Sequence, residues 1–180
     1  MTDPAAPNTS DPTTLVRPRR QILGMSAVLL PFRADGRVDL DGFTANVSRT
    51  AAAGIIPAVN MDTGYVHLLD DALRRKLLAL ARQTLGDTSD QRFGGLVAGA
   101  CVVDEPGAAF DEAGYARQFE MITAVGGTPV IFPSFGLAAG GDSSVISGYR
   151  AIARHVPRFI GFELSTEFVA SGRLLSLEAY

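Results

Sequence analysis

The chain has 180 residues, 47% hydrophobic and 19% charged, with a formal net charge of −3. That length suits one domain with a sizeable core, and a charge so close to neutral, with arginines scattered along the chain, leaves no electrostatic footprint for nucleic acid or an anionic membrane surface. The single cysteine, Cys101, cannot form an internal disulfide and has no metal-ligand spacing around it, which fits a reducing, cytoplasmic setting with no metal.

Residues 1–20 are rich in Pro, Thr, Asp and Asn and read as a disordered N-terminal tail. They lack the apolar core of a signal peptide, and nowhere does an uninterrupted apolar run of about 18 residues suggest a membrane span. From residue 21 to residue 180 the chain reads as one domain of alternating strands and helices. The run from Ile22 to Phe32 is the first strand, stopped by Pro31, and Asp35-Gly36 makes a turn. Asp39 or Asp41 caps a helix whose Phe43, Val47 and Ala51 recur every four residues, and Gly54 ends it.

The stretch from Gly54 to Leu69 is the most informative. Ile55, Ile56, Ala58 and Val59 read as a strand buried on both faces, which then breaks at Asn60-Met61-Asp62-Thr63-Gly64 into a polar loop. A helix from Asp70 to about Leu85 follows, with Leu73, Leu77 and Leu80 on one face and Gly86 as its stop. The third unit is the strand Gly94–Val103, with Asp104 and Glu105 beyond its end, and a helix from about Asp111 to Val125 that buries Tyr115, Phe119 and Ile122. The fourth is the strand Thr128–Gly136, a glycine-rich loop, and a helix capped by Asp142, Ser143 or Ser144 that carries Val145, Tyr149, Ile152 and Val156. A fifth strand, Phe159–Ser165, precedes a helix expected to begin near Ser176.

Five strand-helix units of roughly 30 to 40 residues match the repeat of a (β/α)8 barrel, about 31 residues. A doubly wound open sheet also uses five parallel strands, but no G-x-G-x-x-G follows the first strand here.

Several motifs resemble those of the dihydrodipicolinate synthase and N-acetylneuraminate lyase family. Leu30-Pro31-Phe32 followed by Asp35-Gly36-Arg37-Val38-Asp39 is similar to that family's T-P-F, then D-G, then a β-branched residue and D. Met61-Asp62-Thr63-Gly64-Tyr65 falls where the family has its G-T-T-G-E loop, and Leu69 with Arg74 falls in its L-S-x-x-E-R segment. Phe132-Pro133-Ser134-Phe135 stands where the family has T-P-Y-Y, and Phe162-Glu163-Leu164-Ser165 where it has Y-N-V-P.

The resemblance implies a (β/α)8 barrel truncated to about its first five strand-helix units. It also implies a lyase of the class I aldolase type, acting on a pyruvate-like 2-oxo acid through a Schiff base, with no cofactor. Asp62, Thr63 and Gly64 are then the substrate-binding residues: Thr63 and Gly64 keep the pair that offers a hydroxyl and backbone amides to the carboxylate, while Asp62 replaces a threonine. Phe162 occupies the position of the family's tyrosine, and Ser134-Phe135 that of its tyrosine pair, so the phenolic proton relay is missing. The Schiff-base lysine belongs to strand six and is expected beyond Tyr180. The chain's one lysine, Lys76, reads as a solvated helical charge.

The expectation is therefore an isolated chain that is catalytically inactive. The alternative is a catalytically dead barrel fragment that serves as a binding or assembly subunit. Its open edges lead to homo-oligomers or self-association, without a sharp cooperative melt. Glu163, Glu167, Tyr65 and His67 are the nearby candidates for acid-base work, although ion pairing of the glutamates with Arg158 or Arg173 is the simpler role. A metal-dependent reading would gather Asp62, His67, Asp104 and Glu105 around a divalent cation. Cys101 reads as a core side chain.

Overall fold

The computed structural model describes residues 18–19, 22–88 and 91–177. Nearly all of the tail and the helix expected after Ser176 lie outside those residues. The described chain forms one five-stranded parallel sheet in the order β1-β2-β3-β4-β5, with β1 Met25–Ala27, β2 Ile56–Val59, β3 Val97–Ala100, β4 Thr128–Ile131 and β5 Ile160–Gly161. Between the strands run α1 Leu40–Ala52, α2 Asp71–Leu85, α3 Glu112–Thr123, the short α4 Phe135–Ala138, and α5 Asp142–Ile152.

Strand order decides between the two candidate folds. A doubly wound sheet reverses direction at a switch point, whereas here every strand pairs with its predecessor. Right-handed crossovers that always step the same way put all helices on one side and curl the sheet about the other. The result is an open half-barrel, and no helix among the described residues is long and apolar enough to cross a membrane.

Helices α1, α2 and α3 start and stop close to where the sequence says. Asp39, Asp70 and Asp111 each accept a backbone N–H from the first turn of α1, α2 and α3. Gly54 and Gly86 follow α1 and α2 at φ +73° and +67°, a backbone region that side chains with a Cβ resist. Asp35-Gly36 makes its turn, closed by a bridge between Phe32 and Val38.

Other boundaries differ from the sequence reading. The first, third, fourth and fifth apolar runs are longer than their strands, because only residues with a hydrogen-bonded neighbour join the ladder. None of the three polar candidates caps α5. Gly141 holds that position, leaving the Asp142 carboxylate free to bind Arg173. Val156 lies past the end of α5 yet still packs in the core. The loop after β4 contains α4, whose first turn is capped by the Ser134 hydroxyl, accepting from Leu137 N at 3.1 Å.

Alternation along the strands divides the apolar residues between two layers. Val59, Ala98, Ala100 and Ile131 face the helices, where they meet Phe43, Val47, Leu77, Tyr115, Phe119 and Ile152. Ile56, Ala58, Val97, Val130 and Phe132 face the concave side with Met61, Val66, Cys101 and Leu164 from the adjoining loops. Register keeps the layers in phase, Ala58 lying beside Val97 and Val59 beside Ala98. Of the residues that could line the barrel axis, Val97 and Phe162 are on the concave side, while Val28, Val59 and Ile131 belong to the helix side.

Candidate functional site

The carboxyl ends of β2, β3 and β4 open into a cleft of about 370 Å³. Its residues come from the loop after β2 (Asp62, Val66, His67), the end of β3 (Cys101, Val102, Val103, Asp104), the segment after β4 (Phe132, Pro133, Phe135) and the segment after β5 (Phe168, Val169, Ala170, Ser171). This is where ligands bind in parallel barrels.

The loop after β2 begins with a backbone reversal. Asn60 is buried at φ +51°, a left-handed conformation that asparagine tolerates, and its side-chain amide donates to Arg74 O at 3.2 Å. The turn lays the Asn60 carbonyl against β3 so closely that a Cβ at Gly99 would sit 2.1 Å from it. Glycine is the residue β3 needs there. Asp62–Gly64 then forms a 3-10 turn, and Tyr65, at φ +57°, starts a second one.

Within this turn the three expected binding residues are placed differently. Asp62 lines the cleft and is exposed. Thr63 is exposed on the same turn, outside the cleft lining, and its hydroxyl makes no hydrogen bond to a described residue. Gly64 is buried against β1, and its N–H is used within the turn, donating to Met61 O at 3.0 Å. The Gly64 amide is therefore committed to holding the loop.

Arg74 organises the floor of the site. It lies on α2 at the spacing of Leu77, Leu78 and Ala81, so the apolar face of the helix carries a guanidinium into the interior, where Arg74 is 5% exposed. Its two terminal nitrogens donate to Val66 O at 2.7 Å, Cys101 O at 2.9 Å and Gln118 Oε1 at 3.3 Å. Two of those acceptors belong to cleft-lining residues, so one side chain fixes the loop after β2 to the end of β3. The sequence reading gave Arg74 no such role. The signal was an arginine in register with leucines.

Two further side chains hold the segment after β4. Asp104 accepts from Phe135 N and Gly136 N, each at 2.8 Å, one with each carboxylate oxygen. The buried Tyr115 hydroxyl donates to Phe132 O at 2.7 Å and accepts from Ser134 N at 3.2 Å, and burial pushes its pKa far above the ordinary phenol value. It is spent on backbone and does not line the cleft. Burial likewise pushes the Cys101 thiol up, against the opposing pull of Arg74, which suits a packed side chain and not a nucleophile.

The wall after β5 is tied down by polar contacts. Ser171 Oγ donates to Pro133 O at 2.8 Å, and Arg173 bonds Asp142 at 2.6 Å together with the carbonyls of Ala138 and Gly140. Arg173 thus pairs with Asp142, while Arg158 lies 4.9 Å from the centroid of the Phe93 ring. Glu163 accepts from Leu175 N at 2.5 Å. Phe162 meets Phe132 edge to face at 5.2 Å. Lys76 is exposed on α2, away from the cleft. Among the described residues no three His, Cys, Asp or Glu side chains converge as metal ligands.

No family profile and no curated protein matches the chain by sequence. Solved structures do match its fold. Dihydrodipicolinate synthase from Agrobacterium tumefaciens superposes with a TM-score of 0.68 at 21% identity, over 88% of this chain and 52% of that one. A Pseudomonas aeruginosa structure assigned as a dihydrodipicolinate synthetase gives 0.68 at 18% identity, over 88% and 51%. YagE from E. coli K12, a prophage protein of the dihydrodipicolinic acid synthase family in complex with pyruvate, gives 0.63 at 15% identity, over 82% and 46%. The chain spans about half the length of the structures it matches. The fold on which the motif resemblance converges is therefore the fold observed.

Proposed function

We propose that the chain supplies the first five strand-helix units of a lyase of the dihydrodipicolinate synthase kind, working in the cytoplasm on a pyruvate-like 2-oxo acid. The observation that carries this reading is the sequential parallel sheet, with the Asp62–Gly64 turn at the carboxyl end of β2, in an arrangement that superposes over most of its length on barrels of that family. In this reading Thr63 offers its exposed hydroxyl to the substrate carboxylate, Gly64 shapes the turn that presents it, and Asp62 faces the remainder of the substrate. The Schiff base needs a buried amine of lowered pKa, and the exposed Lys76 is unsuited to that task. The chain alone is therefore inactive.

A second reading is a binding or assembly subunit without catalysis. What favours it is that no described strand pairs with the outer edges of β1 and β5, together with the lack of a tyrosine at the relay positions Ser134-Phe135 and Phe162.

Borohydride reduction in the presence of pyruvate, read by intact mass, tests the proposal. The chain keeps its mass, whereas a form extended through a sixth strand bearing a lysine gains one reduced pyruvyl group. An adduct on Lys76, or none on the extended form, overturns the first reading, and the latter result leaves the second.

A further inference from the structure

The lining of the cleft carries information about the substrate beyond its oxo acid. Three phenylalanines, Phe132, Phe135 and Phe168, border it from two different segments, and Val66, Val103 and Val169 fill much of the rest. Among the described residues no lysine or arginine lines it. Its hydrogen-bonding capacity is small. Each oxygen of Asp104 already accepts one backbone amide, and the Ser171 hydroxyl spends its proton on Pro133 O. Asp62 and His67 are the polar side chains left at the rim.

A polyhydroxylated chain entering this cleft would lay much of its length on the phenylalanine and valine wall, away from the few acceptors at Asp62, Asp104 and Ser171, and hydroxyls on that wall carry a desolvation cost. A second carboxylate would meet Asp62 with no cation to offset it. An aromatic ring suffers neither penalty, and phenylalanine edges and faces are complementary to it. Size agrees, because an apolar cavity of about 150 Å³ already takes up benzene, and this cleft is larger.

We infer that the cleft accepts a neutral aromatic group, so that the carbon-carbon bond made or broken joins the 2-oxo acid to an aryl aldehyde. The aldehyde part of this inference rests on the lyase reading given above, whereas the aryl specificity of the cleft rests on its lining alone.

The chain's one cysteine provides the assay at alkaline pH, where a thiol that burial shifts upward still ionises, since Cys101 lines the cleft and is 8% exposed. Its alkylation by iodoacetamide is followed by intact mass, with 4-fluorobenzyl alcohol as the aryl probe and threitol as a polyol control. Neither probe can form an imine with Lys76. A ligand of about nine non-hydrogen atoms binds near the millimolar range, so at ten times its dissociation constant the aryl probe slows alkylation about tenfold.

Threitol leaves the rate unchanged. Phe168→Ser weakens the protection several-fold. Phe168 is 75% exposed, so this change leaves the fold intact. The fluorine resonance of the probe broadens on adding the chain and sharpens again with Phe168→Ser, which gives a readout independent of thiol reactivity. Equal protection by threitol, no protection and no broadening by the aryl probe, or full protection of Phe168→Ser overturns the inference. Failure of pyruvate trapping in the extended form leaves aryl protection standing, and failure of aryl protection leaves pyruvate trapping standing, so the two claims fall separately.

Discussion

The two faces of the sheet are made from the same strands and finished by different means. On the convex face the chain covers itself. Phe43, Leu77, Tyr115, Phe119 and Ile152 from four helices close over Val59, Ala98 and Ile131, and the largest of these side chains are buried almost completely. On the concave face no α-helix among the described residues contributes. Strand residues meet only loops, Phe162 is half-buried, and Phe168 and Val103 remain exposed at the cleft. Stability therefore resides on the helix side, and the open side carries the cleft and the exposed apolar side chains.

The sharpest test of that division compares one phenylalanine from each face. Phe119→Ala removes a fully buried ring and should cost about 3–5 kcal/mol of local stability, read as lost hydrogen-exchange protection across α3 and β3. Phe162→Ala removes a half-buried ring on the concave side, packed edge to face on Phe132, and should cost roughly half the value of a full burial, about 1 kcal/mol. Equal costs would mean that the concave side is as well packed as the convex one.

Arg74 joins the two faces, and its loss comes next. Arg74→Ala leaves the carbonyls of Val66 and Cys101 without their donor and should cost about 2–4 kcal/mol, from hydrogen bonds to a charged group worth about 1.5–3 kcal/mol each and not additive. Protection should fall in the loop after β2 and at the end of β3 together. A loss confined to α2 would reduce Arg74 to a helix residue.

The smallest effect concerns the wall after β5. The Ser176 hydroxyl and N–H, followed by Arg173, hold the carboxyl of Asp142 below the usual carboxylate range. A carboxyl whose folded pKa is depressed contributes stability above its unfolded pKa and loses it as pH falls through the folded one. The segment 163–177 should therefore become more susceptible to an acid protease as pH drops below the ordinary carboxylate range, and Asp142→Asn should be susceptible already at neutral pH. Identical digestion of both forms at neutral pH would show that the ion pair holds nothing.

Much of the fold was legible because it rests on local rules. Asp39, Asp70 and Asp111 cap helices from positions where only a short acceptor reaches the first turn, and Gly54 and Gly86 stand where the backbone turns left-handed. The five-unit order followed from alternation of strand and helix patterns. The site was legible only in part. Asp62 falls in the cleft, but the use of the Gly64 amide inside its own turn depends on backbone geometry that residue types do not encode. The tie from Asp104 to the first amides of α4 joins residues about thirty positions apart, and the wall after β5 depends on Arg173 reaching Asp142, so neither could be read from neighbouring sequence. Orientation of strand side chains was equally hidden. Runs buried on both faces do not alternate in polarity, which left open whether Val59 and Ile131 or Val97 faced the axis.

The described residues form an open half-barrel with a helix-covered convex face and outer edges at β1 and β5 that no described strand pairs. Size-exclusion chromatography with light scattering, followed by a calorimetric scan, tests it most directly. Unpaired backbone along two strand edges and apolar side chains on the concave face favour pairing with other copies. The predicted result is a self-associated species whose mass grows with concentration and which shows no sharp cooperative melt. A monodisperse monomer that unfolds in one cooperative transition would contradict the account and point to a self-sufficient five-stranded domain.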